Sequence, residues 1–335
     1  MKKGFIGILL LMVFTLTLAG CGAADNASDK DQVATSDSKP TDTATGPVTV
    51  KHNRGEITLN KPAQRVVVLE WTFTEDLIAL GVQPVGNADN ANYKVYVTPE
   101  ATLDSNVVDV GTRNEPNLEA IASFPLKPDL IISNFDGNEA IYEQLKAIAP
   151  TIEYNLNDGN GYDYDKMVKI FNSIAVALGK EDKAKQVLAD LDQHYAEAKQ
   201  KLAAADKSDF HFILTQAFTS QNAASLRMFS DNSVVVGTLA KIGLVNDWKP
   251  SKVESYGFST VGIEALSAVQ DSNFIYIVQP DDDVFGAPMK NNSVWNGLNF
   301  VKEKRTYPLN GTTWTFGGPL SSKGLVDQVV GAITQ

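Results

Sequence analysis

Hydrophobic and polar positions alternate along most of the chain with the spacings of short strands and helices. Residues 48–59 predict a β-hairpin with a polar turn near the middle. The continuous apolar run at residues 65–69 is typical of a buried parallel strand. Thr72 and Glu75 have the spacing of a capping box, and the apolar positions after them predict a helix that ends at Gly81. This strand–loop–helix unit indicates an α/β fold, whose connecting loops usually face the ligand.

A similar order of elements occurs twice. In the first half, residues 117–122 predict a helix, 129–133 a strand and 139–149 an amphipathic helix, and a strand at 210–214 begins the second half. The segments that match are 77–82 with 239–244, and 119–133 with 264–278. Matched elements in the same order predict two similarly built lobes, with a mainly parallel sheet covered by helices.

One long helix is predicted between the two halves, at residues 181–205, where neither Gly nor Pro occurs. Its apolar positions recur every three or four residues, at Leu188, Leu191, Tyr195, Ala198 and Leu202. At ~1.5 Å per residue the helix would be roughly 36 Å long and would act as a stiff spacer. We therefore predict an α/β protein of two Rossmann-like lobes, at 47–180 and 207–335, joined by one helix at 181–206.

The first residues have the layout of a secretory signal peptide. Lys2 and Lys3 precede an apolar run at residues 4–17, and Leu-Ala-Gly-Cys follows at 18–21. Cys21 resembles the lipidated cysteine of a bacterial lipobox, and the alternative is an ordinary signal peptide with an incidental cysteine. Residues 21–46 are mainly Ser, Thr, Asp, Ala and Lys, a composition that predicts a flexible tether.

Composition and charge exclude several classes of function. The formal charge of −11 disfavours nucleic acids and anionic lipid headgroups as partners. The chain has one cysteine, so lipidation would leave no thiol for disulfides or catalysis. Capture of bare zinc or manganese is disfavoured, because His52, His194 and His211 lie on separate predicted elements. No Gly-x-Ser-x-Gly, phosphate-binding Gly-rich or His-Glu-x-x-His motif occurs, so an enzyme is a remote alternative, as is an adhesive lipoprotein.

Five stretches carry a resemblance to a known family: residues 65–86, 110–134, 232–245, 261–278 and 314–321. The chain resembles the substrate-binding lipoproteins of ABC importers, and more narrowly the ferric-siderophore and cobalamin type. The most specific segment is 110–119, Val-Gly-Thr-Arg-Asn-Glu-Pro-Asn-Leu-Glu, followed by Lys-Pro-Asp-Leu-Ile-Ile at 127–132. Trp-Thr-Phe-Gly-Gly-Pro at 314–319 is similar to the branch that binds ferric hydroxamate or citrate-containing siderophores.

The resemblance implies a receptor held on the outer face of the cell membrane by a lipid anchor. It implies a monomer that binds an iron(III)–siderophore complex between its lobes, with no cofactor of its own, and delivers it to an ABC permease dimer. In the family, one surface carboxylate on each lobe docks onto the permease. Glu119 and Glu264 occupy those positions here, although each would also be favoured by the dipole of its helix.

Ligand contacts are expected from scarce arginines and from aromatic residues. Arg113 follows a Gly-Thr turn, and Arg227 lies in a stretch that is predicted to be a loop. One guanidinium from each lobe could therefore hold an anionic complex. The alternative is that each arginine forms a surface salt bridge. The aromatic candidates, at predicted strand ends or loops, are Trp71, Tyr142, Phe218, Tyr256, Trp314 and Phe316. Mixed hydroxamate–citrate chelators are the first choice and ferric citrate the second, while catecholates are disfavoured; cobalamin and haem stay open.

Overall fold

The computed structural model describes residues 46–123 and 127–335. The predicted signal peptide, Cys21 and all but the last residue of the predicted tether therefore lie outside the described residues. In the described part of the chain, no helix is both long enough and apolar enough to cross a membrane.

The elements follow one another in α/β order. The strands are β1 Val48–His52, β2 Gly55–Leu59, β3 Val66–Val68, β4 Gly86–Asn87, β5 Val108–Asp109, β6 Leu130–Asn134, β7 Thr151–Tyr154, β8 His211–Ser220, β9 Ala223–Phe229, β10 Val245–Asn246, β11 Phe258–Val261, β12 Asn273–Ile277 and β13 Thr306–Leu309. The helices are α1 Trp71–Ala79, α2 Asn90–Tyr96, α3 Leu118–Ala122, α4 Phe135–Asn138, α5 Tyr142–Ile148, α6 Tyr164–Leu178, α7 Glu181–Ala204, α8 Val234–Lys241, α9 Ser293–Gly297, α10 Asn299–Lys302 and α11 Pro319–Ile333. Short 3-10 helices lie at Pro99–Ala101, Glu139–Ile141, Ile263–Val269 and Ala287–Met289.

The first sheet is parallel and has the order β5-β4-β3-β6-β7. Its central strands β3 and β6 are buried, as their continuous apolar sequences predict. The predicted hairpin is confirmed as β1 and β2, which pair antiparallel, and β1 packs on α6 and β7. The carboxyl ends of the parallel strands therefore open on one edge of the sheet, where loops can form a site.

The second sheet is mixed, with the order β11-β9-β8-β12-β13 and with β10 beside β8. β8 and β12 are parallel neighbours, whereas β9 and β11 run antiparallel to the strands they contact. The expected similarity of the two halves is therefore only partial. The difference arises at Gln221 and Asn222, whose positive φ angles turn β8 back into β9.

The long helix is confirmed as α7, which follows the first sheet in the chain and precedes the second. The predicted apolar positions Leu191, Tyr195, Ala198 and Leu202 are buried, and Leu188 packs at the edge of the same core. α7 lies against α6 and α11, so it is covered by helices from both halves of the chain.

The predicted capping box at the start of α1 is wrong. Glu70 is the N-cap residue and accepts a hydrogen bond from the backbone N–H of Trp71. Thr72 instead donates its hydroxyl to the carbonyl of Phe316, 2.7 Å away. The spacing of Thr72 and Glu75 fits a capping box, but both side chains form hydrogen bonds with residues far away in the chain instead.

Glu75 caps a different helix, α11. Its Oε1 accepts the backbone N–H of Ser321 at 2.7 Å, and its Oε2 accepts the Ser321 hydroxyl at 2.6 Å. The N-cap position of α11 is Gly318, which has no side chain to supply. A Cβ at Gly318 would lie 2.3 Å from Oδ1 of Asp76, so glycine is needed for this approach. A carboxylate at a helix N-terminus is favoured by the exposed N–H groups and the helix dipole.

Asp76 makes the stability of the protein depend on pH. It is fully buried, no described residue gives either of its oxygens a hydrogen bond, and burial followed by the neighbouring Glu75 charge raises its pKa well above the ordinary value. The native state therefore keeps a proton that the unfolded chain releases above about pH 4. The contribution of this proton to the free energy of unfolding is fully present below about pH 4 and is lost as pH rises through the native pKa of Asp76. We expect Asp76→Asn to stabilise the protein more at pH 8 than at pH 5, measured by urea unfolding; an equal effect at both values would contradict this.

Candidate functional site

A cleft of about 1080 Å³ opens where the loops of the two sheets meet. In the first half it is lined by residues that follow strands, such as Glu70 after β3, Asp89 after β4 and Asn157 after β7. The second half contributes residues of β8, β9 and β11, and Trp314 and Phe316 from the loop after β13. The cleft thus lies at the edge where open α/β sheets bind ligands, and it is large for a small-molecule site.

Arg113 is held in place on the first side of the cleft by a tight turn and a carboxylate. Gly111 has φ +95°, and a Cβ there would lie 2.8 Å from the backbone nitrogen of Asn117, so glycine is needed at the start of this turn. The Nη1 of Arg113 lies 3.0 and 3.3 Å from the two oxygens of Glu70. Its guanidinium carbon lies 3.9 Å from the ring centre of Trp71. Arg113 is therefore both ion-paired and stacked.

Trp71 and Trp314 form an aromatic wall beside Arg113. Their ring centres are 5.3 Å apart in an edge-to-face arrangement, and Phe316 lies 5.6 Å beyond Trp314. The indole of Trp71 donates to the carbonyl of Ala88, which fixes the ring. Aromatic rings in such a wall offer apolar area with little loss of conformational freedom.

Arg227 faces the cleft from the antiparallel strands of the second half, so its prediction as a loop residue is wrong. It pairs with Gln216 of β8 in the strand register, and its Nη1 donates to the Gln216 amide oxygen at 3.1 Å. Phe218 and Phe258 each lie 5.1 Å from its guanidinium carbon. In a sheet, residues two apart share a face, which brings these side chains together.

The electrostatic surroundings of the two arginines differ. Burial lowers the pKa of Arg227 from its ordinary value, and over residues 46–123 and 127–335 no carboxylate forms an ion pair with it. Arg113, by contrast, is paired to Glu70, whose side chain is only 7% exposed. The cleft therefore holds one neutralised cation and one uncompensated cation.

Tyr256 and Asp282, which also line the cleft, form hydrogen bonds within the protein. The hydroxyl of Tyr256, from the second half, donates to Asp136 of α4 at 3.2 Å and so joins the two sides. Asp282 accepts the backbone N–H of Thr219 at 2.7 Å and the Thr219 hydroxyl at 2.5 Å. In the part of the chain that the structure describes, no group of three or more His, Cys, Asp or Glu residues is arranged to hold a metal ion.

The structure brings most of the ligand residues predicted from sequence to this cleft. Its lining includes Arg113, Arg227, Trp71, Phe218, Tyr256, Trp314 and Phe316. Tyr142 is not part of that lining: its ring packs under Arg54, 4.6 Å from the guanidinium carbon, and its hydroxyl faces the carbonyl of Thr151. The apolar periodicity of its helix points Tyr142 into the protein, so an internal contact replaces a ligand contact.

The predicted docking residues lie away from the cleft lining. Glu119 is exposed in the first turn of α3, and Glu264 is exposed in the first turn of the 3-10 helix Ile263–Val269. One belongs to the first half and the other to the second. The docking role itself stays a prediction.

Sequence reasoning missed several cleft residues. The loop that begins at Glu70 was expected to face the ligand, whereas Asp89, which follows the short strand β4, was not singled out although its position after a strand could have indicated it. Phe258 begins the short strand β11, whose sequence Phe-Ser-Thr-Val shows no alternation. The Gln221–Asn222 turn could have indicated the β8–β9 hairpin. The polar lining also includes Asn92, Asn134 and Gln279, for which no signal in the sequence stands out.

Fold and cleft together define a two-sided α/β binding protein, and comparison with known proteins identifies its family. The family model described as "Periplasmic binding protein" matches residues 66–312. The Fe(3+)-citrate-binding protein YfmC of Bacillus subtilis (strain 168) is 30% identical over 94% of this chain and 92% of its own length. The "Probable siderophore-binding lipoprotein YfiY" of the same organism is 28% identical over 98% of each chain.

A solved structure agrees with this result. The Fe3+–Desferal-bound siderophore-binding protein FhuD from Vibrio cholerae superposes with a TM-score of 0.73 at 25% identity, covering 81% of this chain and 98% of that one. The chain belongs to the periplasmic binding protein family. It is thus a binding protein rather than an enzyme.

Proposed function

We propose that this protein captures a ferric siderophore of the hydroxamate or hydroxamate–citrate type and delivers it to an ABC importer. The observation that carries the proposal is the pair of cleft arginines, one from each half and each stacked on aromatic rings. Guanidinium groups donate to hydroxamate and carboxylate oxygens, and aromatic faces suit the apolar exterior of a wrapped chelate. The named relatives, which bind ferric citrate or siderophores, support the same class of ligand.

Iron is proposed to enter the cleft already chelated. Glu70, Asp136 and Asp282, which line the cleft, are each engaged by a cation or a hydrogen-bond donor of the protein. Binding a bare ion would have to break these contacts, and the half-buried Arg113 would then lose the carboxylate that neutralises it. A preformed chelate needs only hydrogen bonds and apolar contact, which the cleft offers.

Anchoring and delivery complete the proposal. Lipidation at Cys21 would hold the folded part outside the cell membrane on its polar tether, consistent with the lipoprotein name of YfiY. Glu119 and Glu264 would contact the two subunits of a permease dimer, since exposed carboxylates on both halves match a two-fold symmetric partner. The protein would act as a monomer.

Tryptophan fluorescence tests the ligand class. Trp71 and Trp314 line the cleft, so a bound ferric complex is expected to quench their emission in a saturable manner. The purified protein would be titrated with ferric hydroxamate, hydroxamate–citrate, citrate and catecholate complexes, and with haem, cobalamin and Zn²⁺. We expect tight binding of a hydroxamate-containing complex, with a dissociation constant between about 1 nM and 1 μM.

A matched pair of variants locates the signal. Trp314→Phe should lose much of the quenching, whereas Trp248→Phe should keep it, because Trp248 donates to Ser259 and is not part of the cleft lining. Saturable binding of cobalamin, haem or Zn²⁺ without any response to ferric chelates would contradict the proposed ligand. Ferric citrate, favoured by the identity to YfmC, is the second candidate in the same titration.

A further inference from the structure

Glu70 neutralises one of the two cations that face the ligand. Its side chain is 7% exposed and lies 3.0 Å from the Nη1 of Arg113. The same carboxylate accepts the backbone N–H of Trp71 at 2.9 Å, so it is fixed at the start of α1. A cation partner offsets much of the cost of burying a carboxylate, so Arg113 cannot leave Glu70 for an anionic ligand without cost.

Arg113 nevertheless keeps donors for a neutral ligand. A guanidinium has five N–H groups, and the contacts to Glu70 both come from Nη1. Arg113 lines the cleft, and among the described residues no hydrogen bond engages its Nε or Nη2. The Arg113–Glu70 pair is thus a hydrogen-bond donor without net charge.

The remaining charges of the cleft favour the same kind of ligand. Arg227 is the second cation, and the carboxylates that line the cleft besides Glu70 are Asp89, Asp136, Asp281 and Asp282. Two cations thus stand against five carboxylates. Charge–charge interactions across a partly desolvated cleft are stronger than in water, so a multiply anionic complex meets more repulsion than attraction.

Building on the proposed function, we propose that Glu70 is a specificity-determining residue that selects ferric complexes of zero or positive charge over multiply anionic ones. The ligand class is then a neutral or cationic ferric hydroxamate rather than ferric dicitrate, even though YfmC is named for ferric citrate. Discrimination would arise from two sources: Arg113 is neutralised and attracts anions less, and the favoured ligand forms its own contacts with the cleft.

The test compares two ligands on three proteins. Wild type, Glu70→Gln and Glu115→Gln would each be titrated with a neutral macrocyclic ferric trihydroxamate and with ferric dicitrate. Glutamine keeps an oxygen for the Trp71 N–H and removes the charge. Glu115 is exposed, lies two residues from Arg113 and is not part of the cleft lining, so its variant makes the same change in net charge elsewhere.

The measured quantity is the ratio of the two dissociation constants. We expect Glu70→Gln to shift this ratio toward ferric dicitrate at least tenfold, and Glu115→Gln to shift it less than twofold. Structural damage would weaken both ligands and leave the ratio unchanged. An unchanged ratio in Glu70→Gln, or an equal shift in Glu115→Gln, would overturn the role of Glu70.

The wild-type protein gives a second test that does not depend on a variant. It should bind the neutral trihydroxamate at least a hundredfold more tightly than ferric dicitrate. Tighter binding of ferric dicitrate would overturn the inference while leaving the proposed function in place. Failure to bind any ferric complex would instead refute the proposed function.

Discussion

Replacing Glu119 with arginine is expected to stop uptake of the ferric complex while the purified protein still binds it with unchanged affinity. Glu119 is exposed in the first turn of α3 and is not part of the cleft lining, so the substitution should not alter ligand contacts. If the carboxylate meets a cation of the permease, charge reversal replaces attraction by repulsion, a change that costs several kcal/mol at an interface. We expect at least a tenfold loss of radiolabelled iron uptake by cells that rely on this protein.

Glu264→Arg should have the same effect from the second half, because Glu264 is also exposed in a first turn. Glu143 provides the control: it is an exposed acidic residue in the first turn of α5, and Glu143→Arg should leave uptake close to wild type. Normal uptake by both docking variants, or loss of ligand affinity in either, would show that these carboxylates do not act by docking.

Replacing Glu75 with alanine is expected to lower the free energy of unfolding by about 3 kcal/mol. The variant loses two hydrogen bonds from Ser321 and leaves the first N–H groups of α11 without an acceptor in a buried place. It also leaves a space where a fully buried side chain stood. Urea unfolding followed by circular dichroism measures the loss.

Two other variants separate capping from general damage. Glu75→Gln keeps one acceptor oxygen and should lose less than the alanine variant, about 1–2 kcal/mol. Ser321→Ala removes only the hydroxyl donor and keeps the backbone N–H, so it should lose about 1 kcal/mol. If Glu75→Ala were as stable as wild type, the free-energy cost of burying the carboxylate would equal the stabilisation from its hydrogen bonds, and the capping role would be refuted.

The sequence predicted those parts of the fold that depend on local pattern. The β1–β2 hairpin, the buried strand β3 and the helix α7 follow from alternation, apolar continuity and helical periodicity over a few residues. Positions at the ends of strands also predicted much of the cleft, including Trp71 and Trp314. These features are fixed within one element, so they need no knowledge of distant partners.

Apart from the loop prediction for Arg227, which missed the local β8–β9 hairpin, the differences involve partners far apart in the chain. Thr72 and Glu75 match a capping box locally, but Glu75 bonds to Ser321, 246 residues further on. For Arg113 the sequence left both a ligand contact and a salt bridge open, and the structure pairs it with Glu70, 43 residues earlier. Tyr142 packs on Arg54 instead of the ligand. Each side chain had two chemically reasonable partners, and only the three-dimensional arrangement decided between them.

The contact of Glu75 with α11 also constrains the order in which the chain can mature. Synthesis proceeds from the N-terminus, so α1 is made long before the helix whose N-terminus it caps. Until residues 318–321 are made, Glu75 lacks the two hydrogen bonds that it accepts from Ser321 in the native protein. A chain that ends before α11 would therefore lose native structure in both halves and would expose segments to proteases. The helix α1 therefore completes its native contacts only after α11, the last helix of the chain, has been made.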